Sequence, residues 1–154
     1  LLRLGYETMR RRSELCNFRF EDLIESPQRG TAIKLVRSKT DQEGTSKLIP
    51  ISDELSRLIH QWQRAAEISG PILRSVDKHG NVGNCLNPGS IGLIINSLYR
   101  QCENQESEQL FSGHSFRVGA ALDLLEAGAS LELIMLRGGW RSSDNAMGYL
   151  RNWC

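Results

Sequence analysis

The sequence predicts a mostly α domain with one small antiparallel β-hairpin, an α+β fold. Three observations predict it. Stretches with helical apolar spacing recur along the chain, and several close on glycine, at Gly70, Gly128 and the pair Gly138 and Gly139. A single pair of β-type runs, "TAIKLV" (31–36) and "KLIPI" (47–51), flanks the polar stretch "RSKTDQEGTS". The 154 residues, 40% apolar and 24% charged, match one ordinary globular domain able to bury a sizeable core.

Taken in order, residues 1–25 read as helical, with Ser13 a cap inside the stretch and Pro27 to Gly30 ending it. The two β-type runs then form a hairpin whose tip, 37–46, is long and mobile. Ser52 opens "SDELSRLIHQWQRAAEISG", in which Leu55, Leu58, Ile59 and Trp62 fall at helical spacing before Gly70 stops the element. Residues 71–90 are loop-rich, 91–102 helical, and the acidic "ENQESEQ" (103–109) a surface link. Helices are expected at about 115–127, 130–137 and 143–152. There is no internal repeat.

Composition excludes several classes. No apolar run approaches the roughly 20 residues a membrane helix needs, so no signal peptide and a soluble, cytoplasmic protein with no membrane partner are expected. Cys16, Cys85, Cys102 and Cys154 lack the C-x-x-C spacing of a zinc site and read as free thiols in a reducing compartment, with no metal and no cofactor implied. The net charge of +1 is uninformative, but residues 1–39 hold nine Arg or Lys against five Asp or Glu. The chain begins at Leu1 inside an amphipathic pattern, so a piece of a longer protein is expected.

Four local patterns carry chemistry. In "SGHSFRVGAALDLLEAG", His114 and Arg117 stand three apart at a helix amino terminus, where backbone N–H groups and the macrodipole favour an anion. Alone, such a pair is a weak signal and fits an ordinary surface pair better than a site. In "ETMRRRSELCNFRFEDL", Leu4, Thr8, Arg11, Leu15 and Phe18 form the helical stripe that should face the core, which leaves Arg10 and Arg12 to solvent. Arg11 then stands where a leucine is expected, and a buried guanidinium needs a partner, for which Glu14 is suited. Lys39 on the hairpin tip is a mobile ammonium and nothing more by sequence physics. Trp140 and Tyr149 are nine positions apart, on opposite faces of any single helix. Gly138 and Gly139 precede the tryptophan, and Ser142, Ser143 and Asp144 are N-cap candidates, so Trp140 belongs to the loop before the last helix and Tyr149 to the helix itself. Both can then face one pocket, although Tyr149 alone also fits a core filler.

Five stretches in this order, "RRRSEL", "RSKT", "GHSFR", "GGW" and "MGYLRN", resemble the motifs of the tyrosine recombinase (phage integrase) family, and among its branches the Cre-like one. The resemblance runs over nearly the whole chain. It implies the tyrosine recombinase catalytic-domain fold over residues 1–154, with an amino-terminal DNA-clamping domain and most of the segment after the tyrosine not included. It also implies a site-specific recombinase that cleaves and rejoins double-stranded DNA without metal or ATP, self-assembling as a tetramer on paired sites. Phage- or bacterium-encoded DNA is its expected setting.

The family's roles fall on Arg11, Glu14, Lys39, His114, Arg117, Trp140 and Tyr149. Two arginine forks are implied to clamp the phosphate, whose transition-state charge lies on its nonbridging oxygens. Tyr149 is implied to attack phosphorus and form a 3′-phosphotyrosine, which conserves the ester bond energy. His114 serves as acid or base, Lys39 protonates the departing 5′ oxygen, and Glu14 orients Arg11. Trp140 takes the place usually held by a second histidine; its indole N–H can donate to an oxygen but cannot shuttle a proton. Type IB topoisomerase-like relaxation and a non-catalytic DNA-binding remnant are the alternatives to recombination.

Overall fold

The computed structural model describes residues 1–36, 47–103 and 111–151, save the side chains of Glu103 and Tyr149. Two compact units are present, one of Arg12–Ser90 with Leu1, the other of Leu2–Arg11 with Ile91–Cys154.

In the first unit, α2 (Arg12–Asn17) and a short 3-10 turn (Phe20–Asp22) lead into β1 (Leu23–Ser26), β2 (Gly30–Leu35) and β3 (Lys47–Ile51). The strands pair antiparallel in the order β1-β2-β3. Thr31 lies opposite Ile51 and Ile33 opposite Ile49, and all four are buried, so one face of the hairpin is apolar as alternation requires. The hairpin tip, 37–46, lies outside the described residues.

Helix α3 (Asp53–Ala66) starts as its sequence implies: the Ser52 hydroxyl accepts the N–H of Leu55 at 3.1 Å. Leu55, Ser56 and Ile59 are its buried positions, and the Trp62 indole donates to the Ile72 carbonyl at 2.9 Å. The helix ends at Glu67, which adopts φ 51°, and not at Gly70 as expected. The Gly70 carbonyl instead takes the N–H of Phe20 at 3.0 Å, tying the loop after α3 to the 3-10 turn.

The second unit holds α1 (Leu2–Thr8), α4 (Ser90–Glu103, whose first residue belongs to the other unit), α5 (Ser115–Glu126), α6 (Leu131–Gly138) and α7 (Ser143–Leu150). Helix α5 packs against α1, α6 and α7. Met9, Ala120, Ala121, Ile134 and Leu150 form the buried cluster, with Trp140 and Met147 partly buried against it. Gly5 admits the Phe116 ring, since a Cβ there would lie 2.7 Å from Phe116 Cδ2, and the Tyr6 hydroxyl donates to the Asp123 carboxylate. The Asn96 side chain exchanges two 2.7 Å bonds with the Phe111 backbone. The expected polar link falls almost wholly in 104–110, outside the described residues. Among the described residues no helix is long and apolar enough to cross a membrane.

The five helices expected downstream of residue 52 are all found, within a few residues at each end. The expected single helix over 1–25 is not. It breaks at Met9, which adopts φ 52° between α1 and α2, and its last residues form the 3-10 turn and β1. Burial explains the break. A left-handed non-glycine residue costs roughly 1–2 kcal/mol, whereas burying a methionine side chain contributes about 1.5–3 kcal/mol. Met9 is 1% exposed in the cluster around Ala121 and Ile134, so the turn is offset by the core it fills.

Candidate functional site

The break at Met9 changes which arginine is buried. Arg10 is 3% exposed, whereas Arg11 is half-buried and Arg12 exposed. The uninterrupted stripe placed Arg11 in the core and Arg10 in solvent; the left-handed turn at Met9 shifts the phase, and Arg10 turns inward. Its Nε donates to the Thr8 carbonyl at 2.8 Å and its Nη2 to the carbonyl of Arg137, at the end of α6. Arg10 was missed because neither glycine nor proline marks the break.

Arg117 is the third residue of α5 and 2% exposed. Its Nη2 donates to the Gly138 carbonyl at 2.8 Å, and its guanidinium carbon lies 4.6 Å from the Trp140 ring centroid. The cation is therefore held by the negative end of the α6 dipole and by the face of an indole. His114 precedes it as the N-cap residue of α5, half-buried, and its carbonyl accepts the N–H groups of Arg117 and Val118 at 3.0 and 3.2 Å. The Ser112 hydroxyl accepts the His114 N–H at 3.2 Å, and the Ser115 hydroxyl accepts that of Ser112 at 3.0 Å, which fixes the turn.

The two glycines before Trp140 have separate jobs. A Cβ on Gly138 would fall 2.0 Å from Trp140 Cζ3, so the bare backbone is what lets the indole fold back over α6. Gly139 adopts φ 71° and ends the helix, its N–H returning to the Met135 carbonyl at 2.8 Å. Trp140 stands outside both helices and Tyr149 lies in the last turn of α7, as the sequence implied. Ser142 caps α7 through the N–H of Asp144 at 3.2 Å.

One other expected residue belongs to the first unit. Glu14 is 5% exposed on α2 and helps line a cavity of about 340 Å³ with Cys16, Arg19, Lys34 and Cys85. There, burial and the neighbouring Cys85 push the Cys16 thiol up to about 11. Lys39 lies outside the described residues, between Leu35 and Lys47, which pair at the open end of β2 and β3. Thus Arg117 and Trp140 are brought into contact, His114 sits one turn from Arg117, and Tyr149 follows on the helix after Trp140.

Sequence and fold comparisons identify the family and the fold. The profile of the phage integrase family matches residues 1–153. Recombinase cre of Escherichia phage P1 is 26% identical over 166 residues, covering 98% of this chain and 48% of the relative. An integrase/recombinase xerD homolog of Selenomonas ruminantium is 34% identical over 129 residues, covering 79% of this chain and 37% of the relative. The chain therefore spans half or less of the length of these relatives. In fold it is similar to XerA recombinase, with TM-score 0.72 and 16% identity over 96% of this chain and 50% of that one. It is also similar to the Tn1549 transposon integrase in complex with transposon right end DNA, with TM-score 0.66 and 14% identity over 96% and 52% of the two chains. With a profile match over residues 1–153 and a relative 34% identical across 79% of this chain, the chain belongs to the phage integrase family.

Proposed function

We propose that this chain is the catalytic domain of a site-specific DNA recombinase that cuts and reseals strands through a covalent 3′-phosphotyrosine. The observation that carries the proposal is the buried Arg117, held on Gly138 and Trp140 beside the helix that bears Tyr149. Burying an arginine is costly, and a cation fixed in place before substrate arrives stabilises charge as it develops without reorganising. A guanidinium carries five N–H donors, so the bond to Gly138 is compatible with a second one to a phosphate oxygen.

In the proposed reaction Arg11 and Arg117 grip the nonbridging oxygens and Trp140 adds its indole N–H. The Tyr149 oxygen attacks phosphorus as its proton passes to a base, for which His114 is placed at the head of α5. The bond to the 5′ oxygen breaks, and that oxygen takes a proton from Lys39. Glu14 is the proposed orienter of Arg11. Rejoining reverses these steps with the 5′ hydroxyl of another strand as nucleophile, so each bond broken is replaced by one formed and no ATP enters. Double-stranded DNA is the substrate, and a tetramer of the full-length protein on paired sites, in the cytoplasm of a bacterium, is the proposed assembly.

The test uses the full-length protein and DNA flanking its gene, screened for inverted repeats, as nicked substrates that trap the covalent intermediate. The expected result is a protein–DNA adduct that Tyr149→Phe abolishes while binding stays within a few-fold of wild type. An adduct that survives Tyr149→Phe, or none with the wild-type protein on any flanking repeat, overturns the proposal.

A further inference from the structure

We infer that Arg10 is a positioning residue: its guanidinium clamps the carboxyl end of α6 and thereby sets the turn on which Arg117 and Trp140 rest. Three observations carry this. First, Arg10 is 3% exposed and bridges two elements, from the Thr8 carbonyl that ends α1 to the Arg137 carbonyl that ends α6. Second, the next carbonyl along, Gly138, holds Arg117 at 2.8 Å, so two guanidinium groups grip consecutive carbonyls of one helix end. The last carbonyls of a helix lack intrahelical donors and carry its negative pole, which makes them a natural seat for cations. Third, Gly139 packs on Arg10: a Cβ there would fall 2.7 Å from Arg10 Nη1. The turn from Gly138 to Trp140 is therefore pinned on one side by Arg10 and on the other by Arg117. Arg10 acts on the site through that turn, and the role differs from that of Arg11, its half-buried neighbour.

The inference rests on the proposed recombinase function for its effect on rate, but not for its effect on geometry, and the experiment separates the two. Full-length protein labelled with fluorotryptophan is observed without DNA, the Trp140 fluorine resonance being assigned by its loss in Trp140→Phe. Arg10→Met and the gentler Arg10→Lys are expected to shift or broaden that resonance, and Gly139→Ala to do the same by pushing on Arg10. Arg11→Ala is expected to leave it unmoved. In the trapping assay the Arg10 variants should lose about 10²-fold in adduct rate, the size of effect a small misplacement of catalytic groups produces, with Arg10→Lys retaining more activity than Arg10→Met. An unmoved Trp140 resonance in both Arg10 variants overturns the inference, whatever the rate does. If the wild-type protein forms no adduct, the recombinase proposal fails while the resonance still decides the role of Arg10.

Discussion

Lys39 and Cys16 illustrate how a single side chain's chemistry can be isolated. A general acid is needed only while the leaving group is poor, and its loss costs on the order of 10² to 10⁴ in rate. Replacing the departing 5′ oxygen of the substrate by sulfur gives a thiolate that leaves without a proton. Lys39→Ala is therefore expected to cleave the ordinary substrate slowly and the sulfur substrate at close to the wild-type rate, while Arg117→Ala stays slow on both. Equal impairment of Lys39→Ala on both would make Lys39 a phosphate binder. Cys16 has the opposite character, a thiol kept neutral by burial with its value pushed up from 9.0 to about 11. The folded state prefers the protonated form, so its stabilising contribution is complete below the ordinary thiol value and is lost as pH rises through about 11. At pH near 8, iodoacetamide followed by peptide mapping should modify the exposed Cys85 and Cys102 well before Cys16. Unfolding measured across the alkaline range should show stability falling from about the ordinary thiol value upward. Equal labelling of the three thiols would contradict the burial of Cys16.

At the level of elements, the same left-handed conformation occurs at Glu67 and Met9 with opposite consequences. Glu67 is exposed at the end of α3 with φ 51°, so no burial of its side chain offsets the strain. Glu67→Gly should stabilise by up to about 1 kcal/mol, the difference between the left-handed penalty and the entropy of glycine. Met9→Gly relieves the same strain yet empties a buried position, so it should destabilise by about 2–5 kcal/mol. Urea denaturation of both variants, with midpoints moving in opposite directions, checks the pair. These positions also mark the limit of what the sequence revealed. Helices α3, α6 and α7 were legible because their caps are the residues their conformations call for, Ser52, Ser130, Ser142 and Gly139, whereas α4 and α5 were legible from apolar spacing. The break at Met9 was illegible because a methionine carries no turn signal, and the left-handed turn is stabilised by tertiary burial that periodicity does not contain. β1 was missed for a related reason: Ile24 and Glu25 are both exposed, so no alternating pattern announces a strand. At the site, the placement of Trp140 and Tyr149 followed from glycines and serine caps. The burial of Arg10 depended on the unseen break.

For the molecule as a whole, charge neutralisation is assigned to side chains belonging to the fold. Adduct formation by the full-length protein is therefore expected to proceed unchanged in excess chelator and without nucleotide, measured on the same trapping substrates; inhibition by chelator that added divalent ion reverses would move the burden from arginine to a metal. The paired glycines before Trp140 also bear on which sequences the chain can reach by stepwise change. At Gly138 the nearest obstacle to an added Cβ is the indole, so a library in which Trp140 is a smaller residue should open that position to alanine and serine. At Gly139 the obstacle is double, since φ 71° disfavours any side chain even if Arg10 is trimmed away. Saturation mutagenesis should show the two neighbours diverging, one constraint released by a single compensating substitution and the other by none. Position 139 would then carry a left-handed penalty of roughly 1–2 kcal/mol in every replacement, as Met9 and Glu67 already do, while position 138 is free to drift once its tryptophan does.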